Sequence, residues 1–143
     1  MDEALLTAYR SSTYLVCVDT AQWSPIRIDE SLPDALQTLV GENPWGFVTA
    51  WNPRSKPHTN DANTAAQQQL LATLQASAGV VALYPGVGIG STGWYEPGLF
   101  VVGLEPATLD ARCTTHGQNA YVHGRGHAPA ALRMLCTGPG NGK

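Results

Sequence analysis

The sequence predicts a single α/β or α+β domain, a sandwich built on a mixed β-sheet of about five to six strands with three to four helices. The chain has 143 residues, of which 43% are hydrophobic, so one domain can enclose a real core. Strand-like and helix-like segments alternate along it, which favours a sheet covered by helices. At least one neighbouring pair of strands looks like a hairpin, which argues against a purely parallel, doubly wound sheet.

The first third of the chain predicts a helix, a hairpin and a second helix. Residues 3–10 can form a short helix, and "YLVCV" at 14–18 has the β-branched and aromatic composition of a strand. The alternating segment "IRI" at 26–28 pairs with that strand as a hairpin. Ser31 is a favourable N-cap for the second helix, and Gly41 ends it.

The middle of the chain predicts a central strand followed by a long helix. Residues 46–51 are largely apolar without clean alternation, which is typical of a strand covered on both faces. Pro53 stops this strand, because proline cannot continue the ladder of hydrogen bonds. Asn60 or Asp61 can cap a helix that runs to about Ser77.

The last third predicts two strands, a helix, a short strand and a final helix. Strand-like segments at 80–84 and 99–104 enclose a glycine-rich connection. A helix begins at Pro106, a position that suits proline because its missing N–H would have no helical partner. The segment 119–124 reads as a strand, and "APAALRML" at 128–135 as a helix.

The composition places the whole as one cytoplasmic domain over residues 1–136 with a disordered tail at 137–143. Net charge is −3 and the eight Lys and Arg residues are scattered, so we expect no binding to duplex nucleic acid. No apolar run approaches the ~20 residues that span a bilayer, and the opening Met-Asp-Glu is acidic where a secretory signal is basic. The three cysteines form no C-x-x-C pair, which predicts reduced thiols rather than a disulfide scaffold or zinc knuckle.

The glycine-rich connection contains the pattern G-x-G-x-x-G, formed by Gly88, Gly90 and Gly93. In a dinucleotide-binding fold this pattern opens a helix whose N-terminus faces the pyrophosphate. Here Pro97 and Gly98 follow, and they would spoil such a helix. We therefore interpret the segment as a flexible connection between strands, with a loop that covers a ligand as the alternative, and we expect no cofactor.

Metal binding and covalent catalysis find little support in the sequence. His123 and His127 are spaced i, i+4, but the glycines between them make a poor helix, and no carboxylate lies nearby to complete a site with His116. Cys17 lies in an apolar strand and reads as a buried structural thiol. Ser55 has no G-x-S-x-G elbow around it. We expect no metal site.

Three groups of polar residues lie where predicted strands end or begin. Ligands of open α/β sheets bind beyond the strand ends, so we expect these groups to meet in one pocket. Arg54 could hold a carboxylate or phosphate with two parallel hydrogen bonds. Glu96 is the candidate acid or base, provided that burial beside Trp94 raises its pKa. The predicted site residues are Asn52, Arg54, Ser55, Asn63, Trp94, Glu96, Gln118 and Asn119.

Five motifs occur in order along the chain: Y-x-x-x-x-Y from Tyr9, "TAWNPRS" at 49–55, a helix opening at Asn63, "WYEP" at 94–97 and "GQNAYV" at 117–122. Together they resemble the bacterial domain-of-unknown-function family 3293. The resemblance implies a small α/β domain and names no reaction. By position, it marks as the family's polar residues Asn52, Ser55, Asn63, Trp94, Glu96, Gln118 and Asn119.

Two departures from the resembled family bear on the site. The family usually has a serine where this chain has Gly98, and an arginine in the helix where this chain has Ala66 and Gln67. If those groups touch a ligand, this member binds it more weakly or differently.

Three interpretations of the polar groups remain open. In the first, which we favour, they form a pocket for a small anionic ligand, with or without catalysis. In the second, the chain is a non-catalytic protein-interaction module that uses exposed members of the set Trp23, Trp45, Trp51 and Trp94. In the third, the groups are structural: Asn52 and Pro53 form a turn, Arg54 pairs with Glu96, and Gln118 caps backbone groups.

Overall fold

The computed structural model describes residues 3–91 and 93–135, which contain four α-helices and seven β-strands. The helices are α1 (Glu3–Ser11), α2 (Asp34–Val40), α3 (Asn60–Gln75) and α4 (Pro106–Thr115). The strands are β1 (Thr13–Asp19), β2 (Gln22–Ile26), β3 (Pro44–Val48), β4 (Ala82–Ile89), β5 (Tyr95–Val102), β6 (Ala120–Arg125) and β7 (Ala131–Met134). A 3-10 turn, Pro53–Ser55, follows β3. The predicted tail at 137–143 and Cys136 lie outside the described residues.

The seven strands form one sheet in the order β2-β1-β4-β5-β3-β6-β7, and every pairing in it is antiparallel. The α/β class and the number of helices are confirmed. The prediction of a mixed sheet is wrong, and the sheet has seven strands rather than five or six. Three successive strand pairs, β1–β2, β4–β5 and β6–β7, are hairpins, and a hairpin joins its strands antiparallel by necessity.

Two core clusters lie on opposite faces of the sheet, which makes the domain a sandwich of a sheet between helices. On one face α2 buries Leu36 and Val40 against Trp45 and Phe100. On the other face α3 and α4 bury four side chains against the sheet, namely Leu70, Leu74, Leu109 and Cys113. The predicted helices at α2, α3 and α4 are confirmed. Thr59, rather than Asn60 or Asp61, caps α3 by accepting a hydrogen bond from the Ala62 N–H at 3.1 Å.

The final predicted helix, 128–135, is wrong, because residues Ala131–Met134 form β7 and pair with β6. Ala, Leu, Arg and Met are all good helix formers, so local propensity favours the helix. The hairpin with β6 overrides that propensity, since it completes the sheet. Arg133 fixes the strand further, because its guanidinium donates two hydrogen bonds of 2.7 Å to Asp110 on α4.

The glycine-rich connection is mostly strand, because β4 extends to Ile89 and β5 begins at Tyr95. Gly86 and Gly88 alternate along β4 and therefore face the same side of the sheet, and Gly90 directly follows the strand. Aromatic rings take the space that side chains would fill there. A Cβ at residue 86 would collide with the Leu15 carbonyl oxygen and lie 2.7 Å from the ring of Phe47. One at 88 would lie 3.3 Å from Tyr14, and one at 90 would lie 2.8 Å from Trp94. The glycines thus accommodate aromatic rings, and the interpretation as a flexible connection is wrong for most of the segment.

Candidate functional site

The antiparallel order of the strands brings the predicted polar segments to one rim of the sheet. β3 pairs with both β5 and β6, so the chain that leaves β3 lies beside the chain that enters each of those strands. β1 and β4 are likewise antiparallel, with Thr13 opposite Ile89, which brings the C-terminal end of α1 to the same rim. Segments 49–55, 94–97 and 117–119 therefore meet although they are far apart in sequence.

A cleft of about 320 Å³ opens at this rim between α1, the loop after β3 and the β4–β5 hairpin. Five of the eight predicted site residues line it: Asn52, Ser55, Trp94, Glu96 and Gln118. A smaller chamber of about 30 Å³ shares four lining residues with the cleft, namely Tyr9, Trp94, Glu96 and Gln118, and reaches inward to Tyr14. Arg54, Asn63 and Asn119 are not among the lining residues of either space.

Among the described residues that line this cleft, Glu96 contributes the one carboxyl group. It lies opposite Gly88, which in turn lies opposite Tyr14, so Glu96 and Tyr14 share one face of the sheet with only a glycine between them. The side chain of Glu96 is half-buried, and burial raises its pKa from 4.5 to about 7 because the charged form loses hydration. No hydrogen bond or ion pair of its carboxyl group occurs within the described residues. Near neutral pH this carboxyl can therefore either donate or accept a proton.

Two tyrosines that the sequence predicted only through the family motif surround Glu96. The Tyr14 hydroxyl donates a hydrogen bond to the Tyr9 carbonyl at 3.2 Å, which ties the end of α1 to β1. Burial raises the pKa of the Tyr9 phenol, a hydrogen bond with Ser55 opposes that rise, and the charge of Glu96 adds to it. Both phenols are therefore neutral at physiological pH.

The side chain of Asn63 is structural rather than exposed to the cleft. Asn63 is 1% exposed, and its Oδ1 accepts from the Asn52 N–H at 2.8 Å while its Nδ2 donates to Asn52 Oδ1 at 2.7 Å. The N–H of His58 donates to the same Asn52 oxygen at 3.0 Å. Because Asn52 Oδ1 accepts from two donors, the orientation of that side-chain amide is fixed. Its Nδ2 group can therefore donate hydrogen bonds into the cleft.

The turn after β3 is held in an unusual backbone conformation. Asn52, Arg54 and Ser55 have φ values of 46°, 60° and 60°, in the left-handed region that residues other than glycine seldom adopt. The Arg54 N–H donates to the Gly117 carbonyl at 2.7 Å, and Asn119 Nδ2 donates to Ser55 Oγ at 3.1 Å. Such strain costs of order 1–3 kcal/mol per residue and is concentrated at functional sites. The predicted turn at 52–53 therefore forms, and it presents Ser55 to the cleft.

Gln118 combines a structural and a cleft-facing role. It is 6% exposed, and its Nε2 donates to the Trp51 carbonyl at 3.1 Å and to the His116 carbonyl at 3.3 Å. These bonds agree with the interpretation that Gln118 caps backbone groups. Its Oε1 has no partner among the described residues, although the side chain lines both spaces. This oxygen is available to accept a hydrogen bond from a ligand.

Arg54 lies away from the position that an anion-binding residue would need. Its side chain is exposed and does not line the cleft, and no cation contributes to the pKa of Glu96. The ion pair between Arg54 and Glu96 that the structural interpretation expects is therefore absent from the described residues. Neither lysine nor arginine is among the described residues that line the cleft.

The four tryptophans do not form a common exposed surface. Trp45 is fully buried and Trp51 is half-buried, whereas Trp23 and Trp94 are 49% and 42% exposed. Trp23 lies opposite Cys17, near the end of β1, while Trp94 follows Ile89, which lies opposite the start of β1. The two exposed rings are therefore at opposite ends of this part of the sheet.

Neither a metal cluster nor a membrane helix is found in the described residues. Across 3–91 and 93–135, no three His, Cys, Asp or Glu side chains are grouped so that they could hold a metal ion. No helix in these ranges is both long and apolar enough to cross a membrane. Cys17 and Cys113 are free thiols, and Cys113 rather than Cys17 is the fully buried one.

Residues 48–121, just over half of the chain, match the family model described as "Protein of unknown function (DUF3293)". All eight predicted site residues lie in the matched range. No curated protein and no solved structure matches the chain.

Proposed function

We propose, from the premise that this chain belongs to the DUF3293 family of proteins of unknown function, that it binds a small molecule in the cleft beside Glu96. The observation that carries the proposal is the half-buried carboxyl group of Glu96, which has no hydrogen-bonding partner among the described residues and lines a cleft of about 320 Å³. A half-buried carboxyl group that no protein group satisfies can be satisfied by water or by a ligand, and its position in a concave site favours a ligand.

Three further features support a ligand at this position. Gln118 Oε1 and Asn52 Nδ2 give the cleft an acceptor and a donor whose side chains are already oriented by other bonds. The strained turn at 52–55 places Ser55 in the lining, and its conformation is held by contacts outside the cleft. Sites that are preorganised in this way lose little entropy when a ligand binds.

Glu96 also gives the cleft a group suited to acid–base chemistry. Because its pKa is about 7, its protonated and ionised forms are both populated near neutral pH. A ligand with a transferable proton would therefore meet a competent acid or base, whereas the partners of the Ser55 hydroxyl in the described residues, Asn119 and Tyr9, are not bases that would activate it as a nucleophile. Any catalysis is proposed to depend on Glu96.

An anionic ligand, which Arg54 suggested, is the competing proposal. A carboxylate or phosphate in the cleft would face the carboxyl group of Glu96 and no lysine or arginine of the lining. Like charges at short range disfavour both ionised forms. Arg54 lies on the turn that borders the cleft, so its replacement by alanine tests this proposal directly.

Ligand-observed NMR with a mixture of neutral, cationic and anionic fragments tests the proposed function on the full chain. We expect to find fragments that bind to the unmodified chain and whose binding signals disappear with Trp94→Ala, because Trp94 lines both the cleft and the smaller chamber. Trp23→Ala is the matched control, since Trp23 is similarly exposed but distant. Fragments that bind equally to both variants, or no binding fragments at all, would overturn the cleft as a ligand site. Fragments that require Arg54 would instead establish the anionic ligand.

A further inference from the structure

We propose that the ligand of this cleft is an organic cation, a quaternary or protonated amine, held between the carboxyl group of Glu96 and the aromatic rings of Tyr9, Trp51 and Trp94. This inference rests on the proposed function and names the chemical class of the ligand. It follows from what the described residues of the lining contain: one acidic group, three aromatic rings and no basic side chain.

The three aromatic rings come from three separate elements of the fold. All three line the same cleft. Tyr9 lies on α1, Trp51 follows β3, and Trp94 lies in the β4–β5 hairpin. The ring of Trp94 packs directly on Gly90, where any side chain would collide with it. The faces of aromatic rings carry negative electrostatic potential and attract cations, tryptophan most strongly.

The charges around Glu96 favour a cation over an anion. The titratable groups that face it are Tyr9 from α1 and Tyr14 from β1, and the charge of Glu96 contributes to the raised pKa of each phenol. Neither can offset the negative charge of the carboxylate. A bound cation would supply the missing opposite charge and would hold Glu96 in its ionised form.

The polar groups of the lining separate two kinds of amine. A quaternary ammonium group has no N–H and would rely on Glu96 and the rings alone. A protonated primary amine would in addition donate to Gln118 Oε1, which has no partner among the described residues. The two kinds of amine can therefore be distinguished by their dependence on Gln118.

Isothermal titration of the full chain with choline, with its uncharged isostere 3,3-dimethyl-1-butanol and with acetate tests the inference. The first two probes have nearly the same shape and differ in charge. We expect choline to bind at least about tenfold more tightly than the isostere, and acetate not to bind, because a cation–π contact and a carboxylate recognise the charge. Ethanolamine, titrated in parallel, reports on the primary amine.

Four variants connect the binding to the named side chains. Glu96→Gln keeps the shape of the side chain and removes its charge, so we expect choline affinity to fall about tenfold or more. Trp94→Ala should weaken choline several-fold. Glu42→Gln and Trp23→Ala change an exposed glutamate and an exposed tryptophan away from the cleft, and should leave the affinity unchanged. Thermal unfolding of each variant confirms that it is folded.

The outcomes separate this inference from the proposed function. If the isostere or acetate binds as tightly as choline, or if Glu96→Gln binds choline like the unmodified chain, the cationic ligand is overturned. If uncharged or anionic fragments bind in a manner that depends on Trp94 while amines do not, the cleft remains a ligand site and only the ligand class is wrong. If no fragment depends on Trp94, both proposals fail.

Discussion

The side chain of Asn63 makes two reciprocal hydrogen bonds with Asn52: its Oδ1 accepts from the Asn52 N–H at 2.8 Å, and its Nδ2 donates to Asn52 Oδ1 at 2.7 Å. These bonds join the first turn of α3 to the residue where the left-handed backbone after β3 begins. Asn63 was predicted as a ligand-binding residue, yet it is 1% exposed and contacts the loop rather than the cleft. Its role is therefore to position Asn52.

Replacing Asn63 with alanine should destabilise the ligand-free protein. The change removes both bonds to Asn52 and leaves a half-buried backbone N–H without its partner, so we expect a loss of about 2–3 kcal/mol in the free energy of unfolding. Urea denaturation measures this value. Asn60→Ala, at an exposed position of the same helix, is the control and should cost far less. Equal stability of the two variants would contradict a structural role for Asn63.

Replacing Gly98 with alanine should also destabilise the protein, because a Cβ there would overlap the ring of Phe47. Phe47 is 6% exposed and cannot move away freely, so we expect a cost of about 1–3 kcal/mol. Gly88→Ala is the matched control, since its Cβ would lie 3.3 Å from Tyr14 and needs only a small shift.

The cost of Gly98→Ala should shrink when the ring is removed. In a Phe47→Leu background the added methyl group meets a smaller side chain, so the two substitutions should be coupled by about 1 kcal/mol or more. A double-mutant cycle of unfolding free energies measures the coupling. Strictly additive effects would show that the ring of Phe47 is not the reason for the glycine.

Replacing Arg133 with alanine should cost more than replacing Arg125. Arg133 donates two hydrogen bonds of 2.7 Å to Asp110, which also accepts a hydrogen bond from the buried Tyr121 hydroxyl at 2.7 Å. Arg125 pairs with Glu105 at an exposed position, and such pairs contribute about 0–1 kcal/mol. We therefore expect a loss of about 1–2 kcal/mol for Arg133→Ala, measured by thermal unfolding at pH 7.

The Arg133 effect should also depend on pH. The hydrogen bond from Arg133 lowers the pKa of the Asp110 carboxyl below 3.8, so this contribution is present above that value and is lost as the pH falls through the lowered pKa. Stability curves for Arg133→Ala and the unmodified chain should converge at low pH. Curves that remain parallel down to low pH would argue against this ion pair.

The meeting of the polar segments at one rim could be predicted from the sequence, whereas the charge of the cleft could not. Pro53 marks the end of β3 locally, and polar residues follow it and also precede β6 at Gln118 and Asn119. The direction of the Arg54 side chain is set by the left-handed turn, whose conformation depends on Gly117 and Asn63 from other segments. Local sequence therefore favoured an anion, and only the fold shows that no lysine or arginine of the described part of the chain lines the cleft with Glu96.

The secondary structure was likewise predictable where the local sequence preference and the tertiary contacts favour the same conformation. Helix α4 begins at Pro106 as expected, since proline and the buried Leu109 favour the same structure. Residues 131–134 favour a helix locally, but the hairpin with β6 decides their conformation. The glycines of β4 carry no sequence signal for the rings that cover them, because Tyr14 and Phe47 lie far away along the chain.

Replacing Glu96 with glutamine should make the ligand-free protein more stable at neutral and basic pH. In the unfolded chain the carboxyl ionises near pH 4.5, whereas in the fold its pKa is about 7. Between these values the folded state binds more protons, so the stability of the unmodified chain falls as the pH rises from 4.5 to 7 and stays at the lower level above that. The shift corresponds to at most about 3 kcal/mol. Glutamine cannot ionise, so we expect the variant to gain stability over this range and to equal the unmodified chain below pH 4.5. Urea denaturation from pH 4 to pH 8 measures the difference, with Glu42→Gln as the exposed control. A constant difference across this range would mean that burial does not raise the pKa of the Glu96 carboxyl group.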